Sequence, residues 1–365
     1  MTLRIDRSGG PSIDEIRNRV KATTIHKLSS NENPLGPSPR VIEIIRDAAA
    51  TLHEYPPRGD DHLREAIANH HARGLTPDHV ASANGGYEVI DLIGRAFLRP
   101  GDEVIISSPT YRAYAWSAAR QEATIIDVRL RPDDFSLDVD GILAALTERT
   151  RLVCLCNPGN PSGSIAPRAD VERLLAHLPA RTILVADEVY VHYVDDARYP
   201  DSIQHVLDNQ PVVIVHSLSK AYGLAGLRVG YGIGRPDLIA RVAAYRRPFH
   251  LSTLALRAAV AAIQDTEHLD RSVALARAGR RHLRQQLDRL GVTHWPSQGN
   301  FVLFRTETPA RQAYEQLLER GIMVRPTDSN GLPDHLRVSA GRPDANEAFI
   351  EALAAIERDD RPGRA

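Results

Sequence analysis

The sequence predicts an α/β fold: a mostly parallel sheet with helices on both faces, plus a smaller α+β domain. Between residues 103 and 216, runs of about five apolar residues alternate with stretches long enough for helices. Continuous apolar runs of this length are typical of strands buried on both faces. After residue 265 the pattern changes to one long amphipathic stretch, followed by short strands and helices.

The 365 residues are enough to bury a large core and to form two domains. We predict an N-terminal arm and loop over residues 1–44, and a large domain over residues 45–265. A bridging helix and a small C-terminal domain follow over residues 266–365. Apolar residues at helical spacing between positions 269 and 290, ended by Gly291, predict the bridging helix. In the arm, the amphipathic stretch over residues 13–20 predicts a short helix, and in the small domain Ile322 to Arg325 is predicted as one strand.

Composition excludes several classes of function. The formal net charge of -1 argues against a nucleic-acid-binding surface. No apolar run is long enough to cross a bilayer, and residues 1–7 lack the apolar core of a signal peptide. We therefore expect a cytoplasmic protein with no nucleic-acid or membrane partner and no metal site.

One lysine stands out by composition. The chain has three lysines, Lys21, Lys27 and Lys220, whereas 42 of its 45 basic residues are arginine. An arginine stays protonated and cannot act as an amine nucleophile, but a lysine with a lowered pKa can. We therefore predict that Lys220 supplies a reactive primary amine.

The residues around Lys220 indicate what the amine binds. A short apolar strand precedes Ser217 and Ser219, and a glycine-rich stretch then leads to Arg228. Hydroxyls, backbone N–H groups and an arginine after a strand form a phosphate cradle. An amine beside such a cradle indicates pyridoxal 5'-phosphate, held by its phosphate and bound through its aldehyde as a Schiff base.

A rival interpretation uses the same residues. Ser217-x-x-Lys220 fits the Ser-x-x-Lys motif of penicillin-binding enzymes. That chemistry requires a later Lys-Thr-Gly motif, and no lysine follows Lys220.

Four polar or aromatic residues lie just after separate predicted strands: Tyr111, Asn157, Asp187 and Ser217. Because the carboxyl ends of parallel strands meet at one edge of a sheet, we expect one shared site there. A carboxylate at the end of a buried strand is costly unless it is paired. The pyridinium nitrogen of the cofactor would pair with Asp187.

Three motifs resemble a known family. The segment Ser-x-Ser-Lys-x-x-Gly-x-x-Gly-x-Arg-x-Gly, residues 217–230, is similar to the lysine motif of fold type I aminotransferases. Asn-Pro-x-Asn-Pro-Ser-Gly, residues 157–163, resembles a signature of that family, with serine in place of threonine. Asn-Glu-Asn-Pro-x-Gly-Pro-x-Pro, residues 31–39, resembles the active-site loop of the histidinol-phosphate aminotransferase branch.

The resemblance implies roles around the cofactor ring. Lys220 would form the Schiff base and then move a proton as general acid–base. Asp187 would keep the ring nitrogen protonated, and Tyr111 would lie flat on the ring. Asn157 and Tyr190 would hydrogen-bond the phenolic oxygen of the cofactor.

The resemblance also implies how the phosphate is held. Gly85, Gly86 and Tyr87 open a helix whose backbone N–H groups would bind it. Relatives usually carry a small residue and then an aspartate where this chain has Gly86 and Tyr87. Tyr55 would reach the phosphate of a partner subunit, which implies a homodimer. The remaining phosphate ligands would be Ser217, Ser219 and Arg228.

For the substrate, the resemblance implies that Arg337 binds an α-carboxylate as a bidentate fork. Arg325 would help to bind a substrate phosphate, and Asn33 in the N-terminal loop would also contact the substrate. The best-matching substrates are L-histidinol phosphate as amino donor and 2-oxoglutarate as acceptor.

Three departures from the branch keep other substrates open. No tyrosine precedes Tyr55, Tyr87 replaces an acidic residue, and Arg342 stands where threonine is common. An aromatic or another polar amino acid is therefore an alternative donor. A decarboxylase on the same scaffold would keep every cofactor residue. A non-catalytic module would be expected to have lost Lys220 or Asp187, and both are present.

Overall fold

The computed structural model describes residues 13–20 and 22–359. In this part of the chain the strands are β1 His26–Lys27, β2 Val80–Ala83, β3 Glu103–Ile106, β4 Thr124–Asp127, β5 Thr150–Cys156, β6 Ile183–Asp187, β7 Val212–Ser217, β8 Gly230–Gly234, β9 Thr293–His294, β10 Phe301–Arg305, β11 Ile322–Met323, β12 Arg325–Pro326 and β13 Leu336–Ser339.

The α-helices of the same residues are α1 Ile13–Arg17, α2 Pro39–Ala49, α3 Asp61–His71, α4 Gly85–Phe97, α5 Ala113–Arg120, α6 Val139–Ala145, α7 Arg168–Leu175, α8 Ser202–Leu207, α9 Pro236–Ala243, α10 Thr253–Gln264, α11 Thr266–Leu290, α12 Ala310–Glu319 and α13 Pro343–Asp359. No helix in these ranges combines the length and apolar character needed to cross a membrane.

The large sheet has seven strands in the order β2-β8-β7-β6-β5-β3-β4. All neighbouring strands are parallel except where β8 pairs with β2 and β7. Every residue of β6 and β7 is buried, which explains why these strands are continuous apolar runs in the sequence. This architecture confirms the predicted fold class.

Helices cover both faces of the large sheet. One apolar core packs α4, α5 and α9 against it, and the other packs α3, α6, α7, α8 and α10. Because both faces are covered, polar groups on these strands can reach a ligand only at the strand ends.

A second, smaller sheet lies in the C-terminal part, with antiparallel strands in the order β12-β13-β10-β9. Helix α11 joins the two cores: Leu269 and Ala276 pack in the core of the large sheet, whereas Leu283 and Leu287 pack in that of the small one. This packing supports the division near residue 265, which we keep as a proposal.

The N-terminal arm packs on the small core, because β1 pairs with β11 and Ile16 and Leu28 are buried there. Two local expectations need correction. The predicted helix over residues 13–20 ends at Arg17. The stretch from Ile322 to Arg325, predicted as one strand, is split between two sheets, because β11 pairs with β1 and β12 with β13.

Candidate active site

A cavity of about 380 Å³ lies at the carboxyl ends of the parallel strands, where the large and small sheets approach each other. Its lining brings together eleven of the predicted site residues: Gly86, Tyr87, Tyr111, Asp187, Tyr190, Ser217, Ser219, Lys220, Arg228, Arg325 and Arg337. The other four, Gly85, Tyr55, Asn157 and Asn33, lie outside this lining.

Asp187 ends β6, and only 1% of its surface is exposed. Its carboxylate accepts hydrogen bonds from the Tyr114 hydroxyl at 2.6 Å and from the Val189 N–H at 3.4 Å. Burial raises the pKa of Asp187 to about 6. A protonated nitrogen of the cofactor ring would favour the charged form of Asp187, because a buried carboxylate needs a positive partner.

Tyr114 was not among the predicted residues. It lies on α5, three residues after Tyr111, which precedes the helix, and the two rings meet edge to face with centroids 6.0 Å apart. The signal available in the sequence was this second tyrosine so soon after Tyr111.

Lys220 lies three residues after the end of β7 and lines the cavity. Its Nζ donates to the Ser30 carbonyl at 3.1 Å and lies 5.6 Å from the centroid of the Tyr190 ring. Burial, with the charge of Arg337 adding to it, lowers the pKa of Lys220 to about 7. A substantial fraction of the amine is therefore neutral and nucleophilic near pH 7.

Tyr190 receives two hydrogen bonds at its phenolic oxygen. The Asn31 amide donates at 3.0 Å and the Asn160 amide at 3.3 Å. Burial raises the pKa of Tyr190 to about 12, so its hydroxyl keeps its proton at neutral pH. The hydroxyl can therefore act as a hydrogen-bond donor inside the cavity.

The predicted role of Asn157 needs correction. Its side-chain amide nitrogen donates to the Ala166 carbonyl at 3.1 Å, and its side-chain oxygen accepts from the Ala166 N–H at 3.0 Å. Asn157 thus fastens the chain after β5, while Asn160 of the same motif lines the cavity. The sequence contains both asparagines, and only the turn geometry decides which one faces the site.

Asn33 is also placed differently from the prediction. Its amide nitrogen donates to the Ala221 carbonyl at 2.9 Å and to the Ser272 hydroxyl at 2.8 Å. These bonds hold the N-terminal loop against the segment after Lys220 and against α11. The residues of that loop that line the cavity include Asn31 and Glu32.

Gly85 and Arg228 form a cradle with the start of α4. Gly85 has a φ of +79°, and a Cβ at this position would lie 2.4 Å from Arg228 Nη2. Arg228 donates from Nη1 to Ser219 Oγ at 3.1 Å. A helix N-terminus beside a guanidinium and two serines suits a phosphate dianion.

Tyr87, the departure noted in the sequence, belongs to an aromatic wall of the cavity. Its ring centroid lies 6.1 Å from that of Trp116, and the Arg120 guanidinium lies 5.8 Å from the Tyr87 ring. Arg112 lies 4.9 Å from the Trp116 ring. Arg112 and Trp116 also line the cavity and were not predicted.

Arg337 and Arg325 are paired across adjacent strands β13 and β12. Arg337 donates to the Asn160 side-chain oxygen and to the Ser29 carbonyl, the latter at 2.7 Å. Its buried Nε has no hydrogen-bond partner among the described residues. An unpaired buried donor is costly, and a substrate anion would supply its acceptor.

Tyr55 is 85% exposed and stacks on Phe249, with ring centroids 5.1 Å apart. It lies outside the cavity lining of its own chain. Its predicted contact with a partner's phosphate stays a prediction.

Comparisons with known proteins agree with this geometry. The family model "Aminotransferase class I and II" matches residues 23–353. The chain belongs to this aminotransferase family. The histidinol-phosphate aminotransferase of Symbiobacterium thermophilum is 39% identical over 346 residues, which are 95% of this chain and 94% of that protein. That of Moorella thermoacetica is 36% identical over 348 residues, covering 95% and 89%.

A solved structure of the family supports the same assignment. The histidinol-phosphate aminotransferase from Sinorhizobium meliloti in complex with pyridoxal-5'-phosphate matches with a TM-score of 0.87 and 27% identity, covering 96% of both chains. The aminotransferase described here is a pyridoxal-phosphate-dependent transaminase of fold type I, which confirms the predicted cofactor, enzyme class and branch. The penicillin-type interpretation of Ser217-x-x-Lys220 is set aside.

The residues of this aminotransferase fit the cofactor. Asp187 is a buried acid whose hydrogen-bond partners are a hydroxyl and an N–H, Lys220 is a buried amine, and Gly85 leaves room for the Arg228 cradle. These groups would hold the ring nitrogen, the aldehyde carbon and the phosphate, respectively. When bound, the cofactor supplies an electron sink for the pair released at the substrate Cα. Within residues 13–20 and 22–359 no His, Cys, Asp or Glu cluster could hold a metal ion.

Proposed function

We propose that the protein transfers an amino group from L-histidinol phosphate to 2-oxoglutarate, working as a cytoplasmic homodimer. The observation that carries the substrate assignment is the pair of arginines, Arg325 and Arg337, facing one cavity from adjacent strands. Two guanidinium groups side by side suit a phosphate or carboxylate anion. Histidinol phosphate and 2-oxoglutarate each carry an anion on the carbon next to the reacting one.

The chain's own groups supply the proton transfers. With a pKa lowered by burial, Lys220 can act as a neutral amine that accepts the proton from the substrate Cα and later returns it. Asp187 would hold the ring nitrogen of the cofactor, and the Tyr111 ring, which also lines the cavity, would pack on the cofactor ring. Arg337 orients the substrate so that its Cα–H faces the amine.

The test is a comparison of amino donors with the purified holoenzyme. With 2-oxoglutarate as acceptor, histidinol phosphate should react with a kcat/KM at least about tenfold above that of histidinol, because the phosphate engages the arginines. Arg325→Gln should remove most of that preference while leaving the reaction of histidinol nearly unchanged. Equal rates for both donors in the wild-type enzyme would contradict the assignment of the phosphate.

A second candidate donor is an aromatic amino acid, favoured by the aromatic wall of Tyr87 and Trp116. Tyrosine, phenylalanine and tryptophan should be included in the same donor series. A kcat/KM for one of them above that for histidinol phosphate would favour this candidate. Carbon dioxide release, measured in parallel, would identify decarboxylation.

A further inference from the structure

Asn31 of the N-terminal loop makes four hydrogen bonds, and only 1% of its surface is exposed. It has a φ of +54°. Its N–H donates to Ser339 Oγ at 2.9 Å, and its carbonyl accepts from the Asn300 amide at 3.0 Å. Its side-chain oxygen accepts from Ser339 Oγ at 2.9 Å, and its side-chain nitrogen donates to Tyr190 Oη at 3.0 Å.

The bonding partners fix which end of the Asn31 amide faces Tyr190. Ser339 Oγ already accepts the Asn31 N–H, and its single hydroxyl proton goes to the Asn31 side-chain oxygen. In this orientation the amide oxygen is at Ser339 and the NH₂ group faces Tyr190. The reverse orientation would take away the acceptor of the buried Ser339 hydroxyl proton, which is costly.

The same logic applies on the other side of the tyrosine. Arg337 can only donate, so the side-chain oxygen of Asn160 faces Arg337 and its NH₂ group faces Tyr190. The phenolic oxygen of Tyr190 thus receives two N–H donors. Its own proton cannot point at either of them and is left to point into the cavity.

We propose that Asn31 is a positioning residue that directs the hydroxyl proton of Tyr190 toward the phenolic oxygen of the bound cofactor. The inference rests on the proposed function, in which Tyr190 contacts the cofactor. If Asn160 turns to the cofactor when the cofactor binds, Asn31 remains as the donor that sets the direction of this proton. These hydrogen bonds link Arg337, Asn160, Tyr190, Asn31 and Ser339 in series, and the first and last of these residues both lie on β13.

The sharpest change reverses the hydrogen bond. In Asn31→Asp, the carboxylate becomes an acceptor for the Tyr190 proton and draws it away from the cofactor. The phenolic oxygen of the cofactor then loses a hydrogen-bond donor that stabilises its charged form. Losing that donor raises the pKa of the bound cofactor. The pH midpoint of the holoenzyme's absorbance change should therefore move up by about one unit.

The experiment is a pH titration of cofactor absorbance in the holoenzyme, for the wild type, Asn31→Asp, Asn31→Gly, Tyr190→Phe and the double variant Asn31→Asp/Tyr190→Phe. Glycine keeps the positive φ and removes the amide, so it covers the case in which aspartate disturbs folding. The charged groups facing the cavity, which all variants retain, include Glu32, Asp187, Lys220, Arg228, Arg325 and Arg337. Asn209→Asp is the matched control, because Asn209 has a φ of +60° and is exposed outside the cavity.

We expect Asn31→Asp and Tyr190→Phe to shift the midpoint upward by similar amounts, Asn31→Gly to shift it less, and Asn209→Asp to leave it unchanged. The double variant should show no additional shift. A wild-type midpoint in Asn31→Asp, or additive shifts in the double variant, would overturn the inference. Turnover of histidinol phosphate is measured on the same samples. Its absence from the wild type would refute the proposed substrate, whereas the absorbance midpoints would still decide the role of Asn31.

Discussion

Burial moves the proton affinities of Asp187 and Lys220 in opposite directions. Removing water disfavours the charged form of each, so the pKa of the acid rises to about 6 and that of the amine falls to about 7. An unpaired carboxylate at Asp187 destabilises the cofactor-free fold, because its charge is buried. A protonated ring nitrogen beside it would compensate that charge. The buried charge of Asp187 is therefore expected to be better compensated with the cofactor bound than in the empty protein.

This yields a prediction on pH and stability. Between about pH 4 and pH 6 the folded cofactor-free protein binds a proton at Asp187 that the unfolded chain has released. The contribution of Asp187 to the free energy of unfolding should therefore fall with rising pH across this window, by at most about 3 kcal/mol. Buried His71 and His192, whose pKa values are lowered to about 3, contribute with the opposite sign, so the Asp187 contribution is read from the difference between wild type and variant. Urea unfolding of the wild type and of Asp187→Asn at several pH values measures the difference.

Asp187→Asn should lack this fall, and the exposed Asp47→Asn should keep it. Adding the cofactor should also remove it, because the ring nitrogen favours the charged carboxylate. Identical pH profiles for Asp187→Asn and the wild type would show that Asp187 is ionised normally in the fold.

At single residues, the sequence predicted the positions of those side chains that directly end or follow a strand. Asp187, Ser217 and Lys220 follow buried strands, so their place at the sheet edge follows from the fold class. The sequence could not separate Asn157 from Asn160, because both belong to one turn and only its path decides which amide turns back to Ala166. The same limit applies to Asn33 and Asn31 in the N-terminal loop.

Among the elements, the start of α4 is closely constrained by its neighbours. Gly85 has positive φ and touches Arg228, so a side chain there meets two obstacles at once. Its neighbour β8 approaches closely as well: a Cβ at Gly230 would lie 2.5 Å from the Gly85 carbonyl carbon. The phosphate cradle is therefore set by backbone packing, which explains how Tyr87 can be tolerated beside it.

We predict that Gly85→Ala weakens cofactor binding by at least about tenfold, because its Cβ displaces the Arg228 guanidinium from the cradle. Gly74→Ala is the matched control, since Gly74 has a φ of +85° with no atom within 4 Å of the added Cβ. Both variants should lose about 1 kcal/mol of stability from backbone strain. Fluorescence titration with pyridoxal phosphate gives the affinities. Equal affinity in the two variants would contradict the expected clash between the added Cβ at position 85 and the Arg228 guanidinium.

Elements were predictable where their pattern was strong. Five strands of the large sheet, β3 to β7, and the long helix α11 were predicted within a few residues of their observed bounds. Strands β2 and β8 were not predicted, because β2 has only four residues, two of them alanine, and β8 has glycine at every second position. Helix α10 was not, because its sequence is alanine-rich and largely apolar, so its periodicity is weak. The split between β11 and β12 depends on pairing with two different partners, and no local pattern reports that.

In the molecule as a whole, the cavity lies between the two cores, and residues of the N-terminal loop, the large sheet and the small sheet all line it. Asn330 of the C-terminal part donates to the Thr110 carbonyl at 2.9 Å, and Arg342 donates to the Pro34 carbonyl at 3.1 Å. These contacts join the C-terminal part to the large domain and to the N-terminal loop. Tyr55 lies outside the cavity lining of its own chain, so its predicted role depends on the proposed homodimer.

Complementation between subunits tests the proposed dimer. Tyr55→Ala and Lys220→Ala should each be almost inactive, but a hybrid dimer would contain one site with both Lys220 and the partner's Tyr55. After denaturation and refolding of an equal mixture, we expect about one quarter of wild-type activity, since half of the dimers are hybrids with one complete site. If Tyr55 served its own chain, the mixture would show no gain over the two variants alone.

The scarcity of lysine allows a decisive labelling experiment. Holoenzyme is reduced with borohydride, which fixes the cofactor covalently to the amine that holds it, and the digested protein is mapped by mass spectrometry. We predict the pyridoxyl group on Lys220 alone, with Lys21 and Lys27 unmodified as internal controls. A label on Lys21 or Lys27, or a fully loaded enzyme that reduction leaves unlabelled at Lys220, would contradict the assignment of the reactive amine.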